Sequence, residues 1–142
     1  MRWITREKVK VDRVACPWLI RRFIDADAEF VFLAHNTDWS SVDGIVFDTP
    51  GADLGHHGEG VSFDAILDKY RLHDPALRLL ADIVRAADSR PSNPHPAGEG
   101  LRWIAHGFSA LGLEDRQILD QEFIVYDALF AECQRRVDDG RR

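Results

Sequence analysis

The sequence predicts a helix-rich α/β chain of the α+β type, in which a small N-terminal sheet of a few strands packs with about five helices. Three observations carry that expectation. Short β-branched and aromatic runs of strand length fall before residue 49. Apolar residues spaced three and four apart dominate after residue 62. A chain of 142 residues with 45% hydrophobic and 30% charged side chains suits one domain, residues 1–142, built around one core.

Each element has its own local signal. Trp3-Ile4-Thr5 reads as a short strand. Pro17 suits the first turn of a helix, where its missing N–H costs nothing, so Cys16-Pro17-Trp18 is expected to open one that ends near Asp25. Trp18, Leu19, Ile20, Phe23 and Ile24 give that helix its buried side. Glu29–Leu33 and Gly44–Asp48 read as strands, with a short helix expected around Thr37-Asp38-Trp39 between them. The segment TPGADLGHHGEG is too rich in glycine to be regular. Ser62 is expected to cap a helix over 63–70, and Asp74 before Pro75 to start the next, with Leu77, Leu80, Val84 and Ala87 inside. The connection RPSNPHPAGEG follows, then a helix with the stripe Leu101, Ile104, Ala105, Phe108 and Leu111. The last helix, about Glu114 to Asp138, alternates Leu119, Phe123, Tyr126, Phe130, Cys133 and Val137. That stripe makes Cys133 a core residue, and its length leaves a homodimer contact open.

Charge and composition exclude several classes. The net charge is −6, yet residues 1–24 carry seven basic and two acidic side chains, a basic end on an acidic body. That balance argues against nucleic acid as a direct partner. No apolar run approaches the roughly 20 residues of a bilayer span. The N-terminus MRWITREKVK lacks the apolar stretch of a secretory signal, so the cytoplasm is the expected location. Two cysteines without a CxxC pair agree with it. Walker A, GxGxxG and GxSxG patterns are absent, which leaves nucleotide binding and serine-hydrolase chemistry without support.

Two sets of residues suggest chemistry. Arg13, Arg21 and Arg22 suit a small oxyanion, because guanidinium groups present several donors to tetrahedral or planar oxygens. Cys16 beside them is the candidate reactive residue, since a helix N-terminus lowers a thiol pKa. The second set is His56 and His57 with Asp48, and with Asp53, Glu59 and Asp64 nearby in sequence. Imidazole and carboxylate together suit Zn, Fe or Mn. Asp127, set among apolar residues in FIVYDALF, needs a partner such as an arginine or that metal. Asp88, at the end of VRAAD, is a further acid at a helix end.

The stretches KVDRVACPWLIRRFID, DAEFVF, GADLGHHGEGVSFDAIL, DPALRLLADIVRAAD and VYDALF, in that order, resemble the C-terminal domain of the chromate-resistance ChrB family. The resemblance implies an association with chromate-resistance operons, whose longer family members act as chromate-responsive regulators. By it, Arg13, Cys16, Arg21, Arg22, His56 and Asp127 fall on motif positions. Longer relatives carry an extra N-terminal region to which DNA binding is ascribed, and the motifs here begin close to the first residue. Many relatives also have a cysteine where this chain has Val61, which removes a loop thiolate from any two-cysteine scheme. Three roles follow as expectations. The first is a sensing or accessory module that binds a metal ion or small oxyanion. The others are a metal- or thiol-dependent enzyme acting on a small substrate, and a structural partner of a separate regulator.

Overall fold

The computed structural model describes residues 1–89 and 91–141, and Arg90, at the head of the proline-rich connection, lies outside the described residues. Its elements are β1 (Arg2–Arg6), α1 (Asp12–Phe23), β2 (Glu29–Leu33), a 3-10 turn (Trp39–Ser41), β3 (Ile45–Val46), α2 (Ser62–Lys69), α3 (Pro75–Asp88), α4 (Ala97–Ala110) and α5 (Asp115–Asp138). The helix-rich α+β architecture expected from the sequence is the one observed. Among the described residues no helix is long and apolar enough to cross a membrane.

The three strands form a parallel sheet in the order β2-β1-β3, with Trp3 beside both Phe30 and Ile45. Parallel neighbours cannot be joined by a hairpin, so α1 is the crossover between β1 and β2. The start of α1 differs from expectation. The helix begins at Asp12, so Pro17 lies in its second turn and Cys16 is not the opening residue. Lys8 and Val11 adopt φ of 62° and 40° and turn the chain early. The Asp115 carboxylate accepts the N–H groups of Lys8 and Val9 at 3.0 and 2.8 Å and holds that turn. Pro17 therefore deprives the helix of one N–H inside its length, which the packing of α1 outweighs.

The helical half centres on α3, which packs against α1, α2, α4 and α5. Leu77, Leu80, Val84 and Ala87 are buried as predicted, and so are Leu79 and Ile83. Asp74 caps this helix by accepting the Ala76 N–H at 2.7 Å. The stripe on α4 is narrower than expected. Leu101 and Ala105 are buried, whereas Ile104 and Leu111 are exposed, because the main packing partner of α4 is α3. On α5 the expected face is buried at Leu119, Phe123, Tyr126 and Cys133.

Candidate metal centre

Four polar side chains from four separate stretches meet at one point. Asp12 is the first residue of α1, Asp48 follows β3, His56 lies in the glycine-rich loop, and Asp88 is the last residue of α3. The His56 Nε2 atom lies 3.2 Å from Asp12 Oδ2, 3.3 Å from Asp48 Oδ1 and 3.3 Å from Asp88 Oδ2. The Asp12 side chain has no exposure, Asp48 has 8%, and His56 is open to solvent at 44%. Asp48 itself sits at φ 48°, an uncommon conformation for a non-glycine residue.

Neighbouring groups hold these carboxylates in place. Asp12 accepts the backbone N–H groups of Ser62 and Phe63 at 2.8 and 3.1 Å, so it caps α2 from another element. Ser62, expected to cap that helix, instead donates its hydroxyl to Asp48 at 2.9 Å. The Asp64 side chain accepts the Val61 N–H at the same helix end. Arg13 Nη1 lies 3.9 Å from Asp48 Oδ2.

The electrostatics follow from burial and crowding. Burial, then the Asp48 charge, raises the Asp12 carboxyl above its ordinary range. Burial, then Asp12 and Asp48, pushes Asp88 up to about 7. Burial also opposes ionisation of Asp48, but His56, Arg13 and Ser62 together hold it below its ordinary range. Hydrogen bonds to Asp12 and Asp48 raise His56 to about 10. Without an ion, the imidazolium is the cation among three acids. It has a single Nε2 proton, however, and cannot satisfy three carboxylate oxygens at once.

Spacing and donor type suit a metal. Ligating oxygens and nitrogens about 2.0–2.2 Å from an ion stand roughly 3.0–3.5 Å from one another. The contacts of 3.2–3.3 Å around Nε2 fall in that range, and one donor each from Asp12, Asp48 and His56 lie mutually within 4.8 Å. Carboxylate oxygens with one imidazole suit Mn, Fe or Zn. Two clefts border the group. One of about 380 Å³ is lined by Arg6, Asp48, Thr49, His56 and His57, and the other, of about 560 Å³, by Asp88, Lys10, His95, Arg102 and His106.

The family model for the ChrB C-terminal domain matches residues 3–133, a span that contains all four side chains. The chain belongs to the ChrB family. It is 35% identical over 129 residues to Protein ChrB of Cupriavidus metallidurans, which covers 90% of this chain. The chain spans about two fifths of that relative, 39% of its length. No solved structure matches it. The association with chromate resistance implied by the motifs therefore holds at the level of the family.

Within this ChrB domain the residues singled out from the sequence part company. His56 and Asp48 come together. His57 turns away, its Nε2 2.8 Å from the Asp53 carbonyl. Asp127 accepts from Trp18 Nε1 at 2.7 Å and pairs with Arg22 at 2.9 Å, so its partners are α1 side chains. Arg13 borders the cluster, while Arg21 donates to the Ala28 carbonyl at 2.7 Å and stacks on Phe30. Asp64 pairs with Arg85, and Glu59 accepts from Ser92. Cys16 corrects the expectation of a low thiol pKa. It is fully buried and donates to Asp12 at 3.3 Å, and burial followed by the Asp12 and Asp48 charges pushes its pKa well up. Sequence reasoning missed Asp12 as a member and did not join Asp88 to His56. Their signals were acids at the two ends of separate helices, which spacing cannot connect.

Proposed function

We propose that this ChrB domain is a metal-binding module of a chromate-resistance system, holding one Mn, Fe or Zn ion with Asp12, Asp48 and His56, with Asp88 beside His56 as an outer carboxylate. A single observation carries the reading: three carboxylates stand at 3.2–3.3 Å around one imidazole nitrogen that has one proton to give. Ser62, Arg13 and the first turn of α2 act as the outer shell that orients the ligands. A sensing or accessory role fits better than thiol-dependent catalysis, because Cys16 is buried and held as the neutral thiol. Elemental analysis of untagged protein, followed by calorimetric titration with Mn2+, tests the reading. About one ion per chain is expected. His56→Ala and Asp88→Asn should each weaken Mn2+ at least about tenfold. Protein that carries no stoichiometric metal and takes up none of Mn2+, Fe2+ or Zn2+ would refute it.

A further inference from the structure

Helix α4 is apolar on two sides. Gly98, Leu101 and Ala105 are buried toward α3, its main packing partner. Away from that contact Trp103 is 72% exposed, Ile104 is 42% exposed, and Leu111 at the end of the helix is 64% exposed. Gly100 and Gly107 fall among them, and a Cβ at either would meet nothing within 4 Å among the described residues. A glycine inside a helix destabilises it relative to alanine, and packing within this chain requires neither. Residues 103–113 hold no Asp, Glu, Lys or Arg, the longest uncharged run in a chain that is 30% charged. A helix that is apolar all round is ordinarily a buried one. The Trp103 Nε1–H is already donated to Glu99 at 3.0 Å, so the indole can be covered without stranding a donor.

The exposed face is complementary to itself. Gly100, Trp103, Ile104 and Gly107 stand at positions i, i+3, i+4 and i+7, the four corners of a hole that receives a side chain from a facing helix. Two corners without side chains make that hole deep enough for an indole. We propose that α4 pairs with α4 of a second copy of this chain, antiparallel about a two-fold axis between Trp103 and Ile104, to form a homodimer. That axis sets Gly100 against the partner's Gly107 and lays each Trp103 into the other copy's glycine hole, so one patch serves both sides. Area and charge favour a second copy. Trp103, Ile104 and Leu111 expose on the order of 350 Å² of side chain, and with the helix surface around them approach the roughly 500 Å² per partner of a specific interface. Each chain carries a net charge of −6, so two copies repel over most of their surface and approach best where no ionised group stands. The outward side of α5, the longer helix, instead exposes Arg116, Asp120 and Arg135 and is suited to water.

Sedimentation equilibrium of the whole chain at roughly 1 to 200 μM reads the pairing, and a dimer Kd of about 10 μM or tighter is expected. Trp103→Glu places a charge at the centre of the face, and Gly107→Gln fills the hole. Each should weaken the dimer about tenfold or more. Both positions are exposed in the single chain, so circular dichroism melts of dilute protein should show both variants folded, with Gly107→Gln no less stable than wild type. Ile124→Glu on α5, at a position 68% exposed in wild type, is the control and should leave the dimer Kd within about twofold. A wild-type chain that stays monomeric throughout that range overturns the proposal, and the face then belongs to a different occupant. A dimer indifferent to both Trp103→Glu and Gly107→Gln, or weakened equally by Ile124→Glu, also overturns it.

Discussion

Asp88 shows how the cluster trades stability for binding. Its carboxyl is pushed up to about 7, first by burial and then by Asp12 and Asp48. The folded pKa lies above the unfolded value of 3.8, so folding takes up a proton. Stability from this group is fully present below pH 4 or so and is lost as pH rises toward 7. At pH 8 the metal-free protein must hold three carboxylates in one place. Asp88→Asn removes one charge and should therefore raise the metal-free melting temperature at pH 8, by roughly 2 kcal/mol of stability. It should also shrink the stabilisation that Mn2+ provides. Thermal melts at pH 5 and pH 8, with and without Mn2+, check both signs. Asp12 behaves differently, because its two bonds to the first turn of α2 make it structural as well.

Between elements, close packing and a few buried polar links decide the arrangement. The contact of α1 with α5 joins Trp18, Phe23 and Phe130 in tilted and edge-on ring pairs with centroids 5.4–5.6 Å apart. Asp127 ties the same two helices by accepting from both Trp18 and Arg22. That accounts for an acid within the apolar run FIVYDALF without any metal. The contact of α3 with α4 depends on Gly98, where a Cβ would stand 2.4 Å from the Ala86 Cβ and 2.9 Å from its backbone carbon. Both obstacles are rigid, so the helices would have to separate. Gly98→Ala should destabilise the domain by about 1–3 kcal/mol despite the better helix propensity of alanine. Urea unfolding would measure it, and an unchanged or higher midpoint would contradict this packing.

For the molecule as a whole, the pH dependence of stability is set by acids buried at separate points. Glu122 on α5 is 1% exposed, one of its oxygens has no partner, and burial alone lifts its pKa from 4.5 to about 7. Folding again takes up a proton, so stability from this group is present below pH 4.5 and is lost as pH rises through 7. Glu122→Gln should flatten that decline, removing a loss on the order of 3 kcal/mol between pH 4.5 and pH 8. Urea titrations of metal-free wild type and variant at both pH values test it, and parallel pH profiles would contradict it. Acids with lowered pKa, such as Asp25 and Glu132, work in the opposite sense but are surface groups with weak, screened effects.

Most of the elements, and the family, are legible in the sequence. Alternating strand runs, the Asp74-Pro75 start and the three-four stripe of α5 are local patterns, and hydrogen-bonding and burial periods write them directly into the chain. Half of the cluster is legible there too, since Asp48 precedes the glycine-rich loop that contains His56 and the two are near in sequence. Only the tertiary structure decided the rest. Asp12 and Asp88 are 76 positions apart and reach His56 because α1 and α3 pack with one end of each at the loop. Tertiary contacts also moved the start of α1 from Cys16 to Asp12, through a turn held by Asp115 from the far end of the chain. That shift turned Cys16 inward and gave its expected place at a helix start to a carboxylate. No spacing rule reports such contacts, because they join residues whose separation along the chain is set by packing and not by any repeat of the backbone.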